Sequence, residues 1–157
     1  MKQRKFKPFG NISSLSLGGG GIGNVWGKTS KSERVSTVGL AIESGINHLD
    51  MAPMYGKGEA ERVVGEAFKG RDHSTIKLTT KCRLGTVKDS EVYTRLNNSL
   101  CRSLETMGVE KANLFLLHSQ LIEDDYQLPF FNEHRATNAT TLSCYYNAVI
   151  PAFEMLK

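Results

Sequence analysis

Four side chains of complementary chemistry stand at the ends of this sequence's β-prone runs. Asp50 closes "INHLD", Tyr55 follows it on a loop, Lys81 closes "STIKLTTK", and His118 stands near the end of "ANLFLLHS". Singly, each has an ordinary explanation: a turn-forming aspartate, a packing tyrosine, a solvated lysine, a satisfied core histidine. Together they bring a carboxylate, a phenol, an ammonium and an imidazole to one rim. A phenol with an unperturbed pKa of about 10 is a poor acid at neutral pH. An adjacent ammonium favours the phenolate, and a carboxylate beside that ammonium keeps it charged and oriented. Such a phenol can protonate a carbonyl oxygen as hydride reaches the carbon, or take the proton back in the reverse direction. An imidazole N–H can polarise the same oxygen. This chemistry requires no metal and no serine or cysteine nucleophile.

The elements that must position these residues follow from periodicity. Leu15 and Leu17 lead into the glycines as a short strand. Ser30 or Ser32 can cap a helix carrying Val35, Val38, Ala41 and Ile42, stopped at Gly45. Residues 46–50 predict a strand, 59–70 a helix burying Val63, Val64, Ala67 and Phe68, and 74–81 a strand. Asp89 or Ser90 caps a long helix with Val92, Leu96, Leu100, Leu104 and Met107, ended by Gly108. A strand over 112–119 and a helix over 147–157, with Pro151 in its first turn, close the series. In front, Lys2, Arg4, Lys5 and Lys7 interleave with Phe6 and Phe9 before Gly10-Asn11. That pattern predicts a solvated strand of an N-terminal hairpin rather than an arm for nucleic acid or membrane. Strands alternating with helices imply a parallel sheet with helices packed on it, either doubly wound or a piece of a (β/α) barrel. Both architectures put chemistry at the carboxyl ends of the strands.

The run "SLSLGGGGIGNVWGKTS" (14–30) contains two nucleotide-binding patterns, and neither holds. Gly27-Lys28-Thr29 has the tail of a phosphate-binding loop, but Ile22 stands where its first glycine belongs. Gly18, Gly20 and Gly23 fit G-x-G-x-x-G, yet residues 24–28 intervene before helical periodicity begins. Asp50 also lies well beyond the roughly 20 positions at which a ribose-binding acid is expected. The plain reading is a loop that needs glycine for its turn or for close backbone approach.

A chain of 157 residues with 39% hydrophobic and 23% charged residues has the makings of one soluble globular domain. Its net charge of +4 is too mild to argue for a nucleic-acid partner. Cys82, Cys101 and Cys144 are odd in number and lack metal or disulfide spacing, which predicts free thiols in a reducing cytoplasm. No apolar run reaches the roughly 18 residues of a membrane span, and the N-terminus lacks a signal-peptide core. The sequons at Asn98 and Asn138 carry no meaning without such a signal.

"GINHLDMAPMYGKGEAERVVGEAF" (45–68) resembles the signature of the aldo-keto reductase family, G-x-N-x-x-D-[TS]-A-x-x-Y-G with its following glutamate and glycine. "LTTKCRLG" is similar to that family's lysine strand and "ANLFLLHS" to its histidine strand. "GGGGIGNVWG" resembles the first-strand loop of members that oxidise sugars, which also carry "AP" before the tyrosine loop. Met51 replaces the usual Thr or Ser. The resemblance covers nearly all of the chain apart from about residues 120–145. It implies the N-terminal half of a (β/α)8 TIM barrel, NADP(H) or NAD(H) as cofactor, and a small-molecule carbonyl or sugar as substrate. It also implies the tetrad Asp50, Tyr55, Lys81 and His118, with Gly23, Asn24, Val25 and Asp50 against the cofactor's nicotinamide half.

Two departures from the family pattern set further expectations. A complete barrel takes about 250 residues, so residues 1–157 are read as an incomplete oxidoreductase domain of four βα units. It would lack the strands that grip the cofactor's adenosine and phosphates, and would self-associate or pair with a complementing half-barrel. A non-catalytic remnant is the alternative, and a Rossmann-type module a third. Residues 120–145 form an insertion longer than the roughly 12–15 residues of most loops. Its aromatics Tyr126, Phe130, Phe131, Tyr145 and Tyr146 suit either a lid over substrate or a surface excursion packed on itself.

Overall fold

The computed structural model describes residues 1–7, 9–126 and 138–157. The chain divides into two compact units, Met1–Lys81 with Arg102–Leu116, and Cys82–Cys101 with Leu117–Lys157.

The first unit opens with an antiparallel hairpin of β1 (Gln3–Phe6) and β2 (Gly10–Ser13), in which Gln3 faces Ser13 and Phe6 faces Gly10. Lys2, Arg4, Lys5 and Lys7 are exposed along it, as expected of a solvated strand. Phe9 turns inward and packs on the His48 ring, with centroids 5.4 Å apart. The main sheet runs β3 (Leu17–Gly18), β4 (His48–Asp50), β5 (Lys77–Cys82), β6 (Leu114–Leu117) in spatial order. β3, β4 and β5 pair in parallel, placing Gly18 beside Asp50 and Asp50 beside Thr79. Strand order equals chain order, as successive βα units require.

Between these strands lie a single turn, α1 (Gly19–Ile22), then α2 (Lys31–Glu43) and α3 (Glu59–Phe68). α4 (Asp89–Met107) follows β5. Ser30 and Glu33 form a full capping box at the start of α2, satisfying two N–H groups that helix geometry leaves open. The core brings Val38 of α2 and Val63, Val64, Ala67 and Phe68 of α3 against Leu49, Leu78 and Met107. Each of the Val, Leu, Phe and Met side chains contributes roughly 1.5–3 kcal/mol on burial. α3 approaches the end of α4 so closely that a Cβ on Gly65 would fall 2.5 Å from the Thr106 carbonyl oxygen. A polar bridge crosses the sheet where His48 Nδ1 meets Ser16 Oγ at 2.7 Å and Nε2 meets Thr79 Oγ1 at 2.9 Å. Burial lowers the pKa of that imidazole, with Lys81 adding to the effect and Asp50 opposing it.

In the second unit, β7 (Gln120–Ile122) pairs in parallel with β8 (Ala139–Thr141). This small ladder is fastened to the loop after β5. Leu84 and Gly85 N–H groups donate to Ser119 Oγ at 3.1 and 3.0 Å. Thr86 Oγ1 donates to the Ala139 carbonyl at 2.9 Å, and buried Thr140 to the Gly85 carbonyl at 3.0 Å. The chain then enters α5 (Leu142–Cys144), a π-helical turn over Tyr145–Val149, and α6 (Ile150–Met155). Burial, and then the nearby Asp89 carboxylate, push the Cys144 thiol up to about 11. That leaves it protonated and inert at neutral pH.

Several expectations need correcting. The first strand is Leu17–Gly18, and Leu15 lies outside it, exposed. The strands expected over 46–50, 74–81 and 112–119 are His48–Asp50, Lys77–Cys82 and Leu114–Leu117: a turn at Ser74-Thr75 delays the second, which runs one residue past Lys81, and the third ends before His118. Neither Asp89 nor Ser90 stands ahead of α4; both lie in its first turn, where a carboxylate still favours the helix dipole. The last helical run starts at Leu142, not 147, because Thr141 caps it by accepting the Cys144 N–H. Pro151 does lie in the first turn of α6, which continues the run from the π turn. A proline has no N–H for the usual bond four residues back, and Ile150 N–H just before it reaches Tyr145 O, five back. Tyr145 and Tyr146 are helical residues rather than parts of a loop. Of the other aromatics read as a lid, Tyr126 is exposed, while Phe130 and Phe131 lie outside the described residues.

Candidate active site

β4 ends on Asp50, opposite Thr79, and β5 carries Lys81 two residues further along on the same face. Lys81 Nζ donates to Asp50 Oδ1 at 2.6 Å, to the Met51 carbonyl at 2.8 Å and to Tyr55 Oη at 3.2 Å. An ammonium has three N–H donors, and all three are used. The lysine side chain is 11% exposed and the aspartate 39%, so the charge pair has one dry end and one wet end. The ammonium also lies 4.7 Å from the Tyr55 ring centroid. Three of the four residues read as a tetrad thus form one hydrogen-bonded cluster.

Tyr55 is held from several sides. Its N–H donates to the Ala52 carbonyl at 3.0 Å, and its carbonyl accepts from Ala60 N–H at 3.3 Å. Gly56 has φ +62° and lies so close to the glycine-rich segment that a Cβ on it would fall 1.8 Å from the Gly23 carbonyl oxygen. A Cβ on Gly23 would come within 3.0 Å of the Tyr55 carbonyl group. The glycine run therefore packs its backbone onto the tyrosine loop.

The same run departs from the loop expected of it. Residues Gly19–Ile22 make one helical turn, closed by Gly23 N–H donating to Gly19 O at 2.8 Å. The chain leaves that turn through Asn24 at φ +58°, and the next helix opens only at Lys31. Asn24 Oδ1 then accepts from Thr29 N and Oγ1 at 3.1 and 3.2 Å, fixing the 24–29 loop. Val25 and Trp26 are exposed on it, the indole resting over Gly20. Arg34 braces the arrangement. Its Nη1 donates to Glu59 Oε1 at 2.9 Å and to the Ile22 carbonyl at 3.4 Å, tying the turn to α3.

Behind Lys81, the alternation of the strand sends Thr80 to the other face. There Thr80 Oγ1 donates to Glu61 Oε1 at 2.7 Å and reaches Ser103 Oγ at 3.4 Å. Glu61 is 3% exposed, and burial raises its pKa.

His118 follows β6 in the second unit, where its N–H donates to the Cys82 carbonyl at 2.7 Å. Sequence reasoning did not single out Gly19, Arg34 or Glu61, nor the Met51 carbonyl. A backbone acceptor leaves no trace in residue types; the buried Glu61, sitting in an otherwise apolar helix face, was the one with a visible signal.

A family model described as Aldo/keto reductase family matches residues 14–157. The chain belongs to the aldo/keto reductase family. The uncharacterized oxidoreductase YqkF of Bacillus subtilis (strain 168) is 31% identical over 131 residues, which cover 80% of this chain and 41% of that protein. The NADH-specific methylglyoxal reductase of Escherichia coli (strain K12) is 28% identical over 76% of this chain and 39% of its own. Among solved structures, the holo form of an aldo-keto reductase from Bacillus halodurans superposes with a TM-score of 0.72 at 25% identity. That match covers 100% of this chain and 46% of the other. This aldo/keto reductase chain thus spans about two fifths of the length of each of these two curated relatives.

Proposed function

We propose that the chain is the N-terminal half of a (β/α)8 barrel of an NAD(P)H-dependent oxidoreductase that interconverts a carbonyl and an alcohol. The observation that carries this reading is the Lys81 ammonium bridging Asp50 and the Tyr55 phenol at adjoining strand ends. The E. coli relative is by name NADH-specific, which supports a nicotinamide cofactor. NADP(H) is the expected form, with NAD(H) as the alternative.

The rim has room for such a cofactor. The Asp50 carboxylate is partly exposed, and the neighbouring Gly18 has open space where a side chain would stand. Asp50, with Gly23, Asn24 and Val25 on the adjacent loop, would hold the nicotinamide half. When bound, the nicotinamide supplies or accepts a hydride at the substrate carbon. Tyr55 donates its hydroxyl proton to the carbonyl oxygen, and takes it back in the oxidative direction. Lys81, three-way hydrogen-bonded, stabilises the phenolate that remains, while Asp50 keeps the ammonium oriented. His118 is assigned to the carbonyl oxygen. An aldehyde, ketone or sugar fits this chemistry. The odd, widely spaced cysteines support a cytoplasmic compartment, and residues 120–145 an insertion within one incomplete domain.

A second reading is favoured by β3 and β6 standing at the two edges of the sheet. It is a non-catalytic half-barrel that associates with a complementing chain or a second copy. Turnover of a probe aldehyde such as methylglyoxal with NADPH or NADH separates the two readings. In a catalytically competent form, with the rest of the barrel supplied, Tyr55→Phe loses about 10²–10⁴-fold in turnover while cofactor affinity is kept. Near-normal turnover in that variant refutes the assignment of Tyr55, and no turnover in a form that does bind the cofactor favours the second reading.

A further inference from the structure

The glycines of "GGGGIG" meet different surroundings. A Cβ on Gly18 or Gly21 would meet nothing within 4 Å, and one on Gly20 would meet the Trp26 indole. A Cβ on Gly19 would fall 2.7 Å from Tyr55 Cδ2, with Ala60 Cβ and Met51 Sδ each at 3.1 Å. Gly19 does not have a positive φ, so space and not backbone freedom sets its requirement. The tyrosine ring is bounded by Lys81 as well, whose Nζ lies 4.7 Å from its centroid.

We propose that Gly19 is a positioning residue for Tyr55, the α1 turn serving as a wall that seats the phenol on the Lys81 ammonium. The proposal rests on Tyr55 acting as the acid/base. Its mechanical basis is a lever. Turning the ring about the Cβ–Cγ bond leaves the hydroxyl in place, but a swing about the Cα–Cβ bond carries the hydroxyl, at the far end, further than the Cδ2 edge that was pushed. The Lys81–Tyr55 contact of 3.2 Å has little slack, since a separation of about 3.6 Å no longer makes a hydrogen bond. Ala60 and Met51 close the other ways out for an added methyl, so the ring must yield. A reacting group misplaced by about 1 Å loses on the order of 100-fold in rate.

The test reads the contact without relying on turnover. The chain's five tyrosines are labelled as 3-fluorotyrosine, and the Tyr55 fluorine resonance is assigned with Tyr55→Phe. Lys81→Met should shift that resonance in the wild-type and Gly21→Ala backgrounds, and shift it less than half as far in Gly19→Ala. A full shift in Gly19→Ala overturns the proposal. No shift in the wild-type background overturns it together with the Lys81–Tyr55 cluster. Thermal unfolding gives a second arm: Gly19→Ala should lower the Tm, and Tyr55→Ala in the same chain should abolish that loss. If Gly19→Ala does not fold, recovery of folding in the Gly19→Ala/Tyr55→Ala pair supports the proposal. An undiminished loss in the pair, or no recovery, overturns it. Retained turnover in Tyr55→Phe, by contrast, sinks the catalytic reading and leaves these contact measurements standing.

Discussion

The two ends of the Lys81–Asp50 pair differ in their access to water, and that asymmetry predicts which end can be removed at little cost. Lys81→Met keeps an unbranched apolar stem and deletes the ammonium. The Met51 carbonyl then loses a donor, which costs about 1–3 kcal/mol for a buried acceptor. Against that stands relief from desolvating the ammonium, itself a penalty of several kcal/mol. Asp50, 39% exposed, turns to water. The expected net change is about 0–1 kcal/mol. Asp50→Ala does the opposite and leaves a charge that is 11% exposed without its carboxylate. Breaking a buried pair from that side costs about 3–5 kcal/mol; the Met51 and Tyr55 oxygens still accept from Nζ, which brings the expectation down to about 2–4 kcal/mol. Urea unfolding supplies the measurement, followed by far-UV circular dichroism and by emission of the sole tryptophan, Trp26, which lies in the first unit. In a catalytically competent form both variants should also lose turnover by about 10²–10⁴-fold, so activity and stability separate in Lys81→Met alone. If Lys81→Met destabilises the chain as much as Asp50→Ala, the pair is a net source of stability and the reasoning from burial is wrong.

Two further outcomes follow from the same geometry. Burial raises the Glu61 pKa above its ordinary 4.5. The folded state therefore holds that proton more tightly than the unfolded chain does, and the resulting stability is present below 4.5 and lost as pH rises through the raised value. Glu61→Gln should gain on the wild type in urea midpoint as pH rises above 4.5, and a difference independent of pH would show that the carboxyl does not titrate in this way. Residues 1–157 purified alone should self-associate through the edges at β3 and β6 and bind NADPH weakly or not at all; sedimentation as a stable monomer with micromolar NADPH affinity would contradict both.

The sequence by itself determined what depends on neighbours along the chain. Period and punctuation placed α2 between Ser30 and Gly45, α3 before Gly70 and the end of α4 before Gly108, where glycines with positive φ stop the helices. Alternation of strand and helix implied the parallel sheet, and the motif around Asp50, Tyr55 and Lys81 pointed to residues that the fold does gather. The glycine run resisted because its requirement lies across space. Gly19 answers to the Tyr55 ring, Gly23 to the Tyr55 carbonyl and Gly56 to Gly23, contacts made only when the glycine run and the loop after β4 are brought together. Tertiary structure likewise decided that Met51 O, a group every residue possesses, is an acceptor for Lys81. It also paired β7 with β8, a ladder between segments far apart in the chain, whereas the Thr141 cap that starts the last helical run at Leu142 is a local bond that the reading of a loop passed over. Local pattern specifies an element through bonds a few residues apart; a site made by backbones pressed together is specified by shape, and shape exists only in the folded chain.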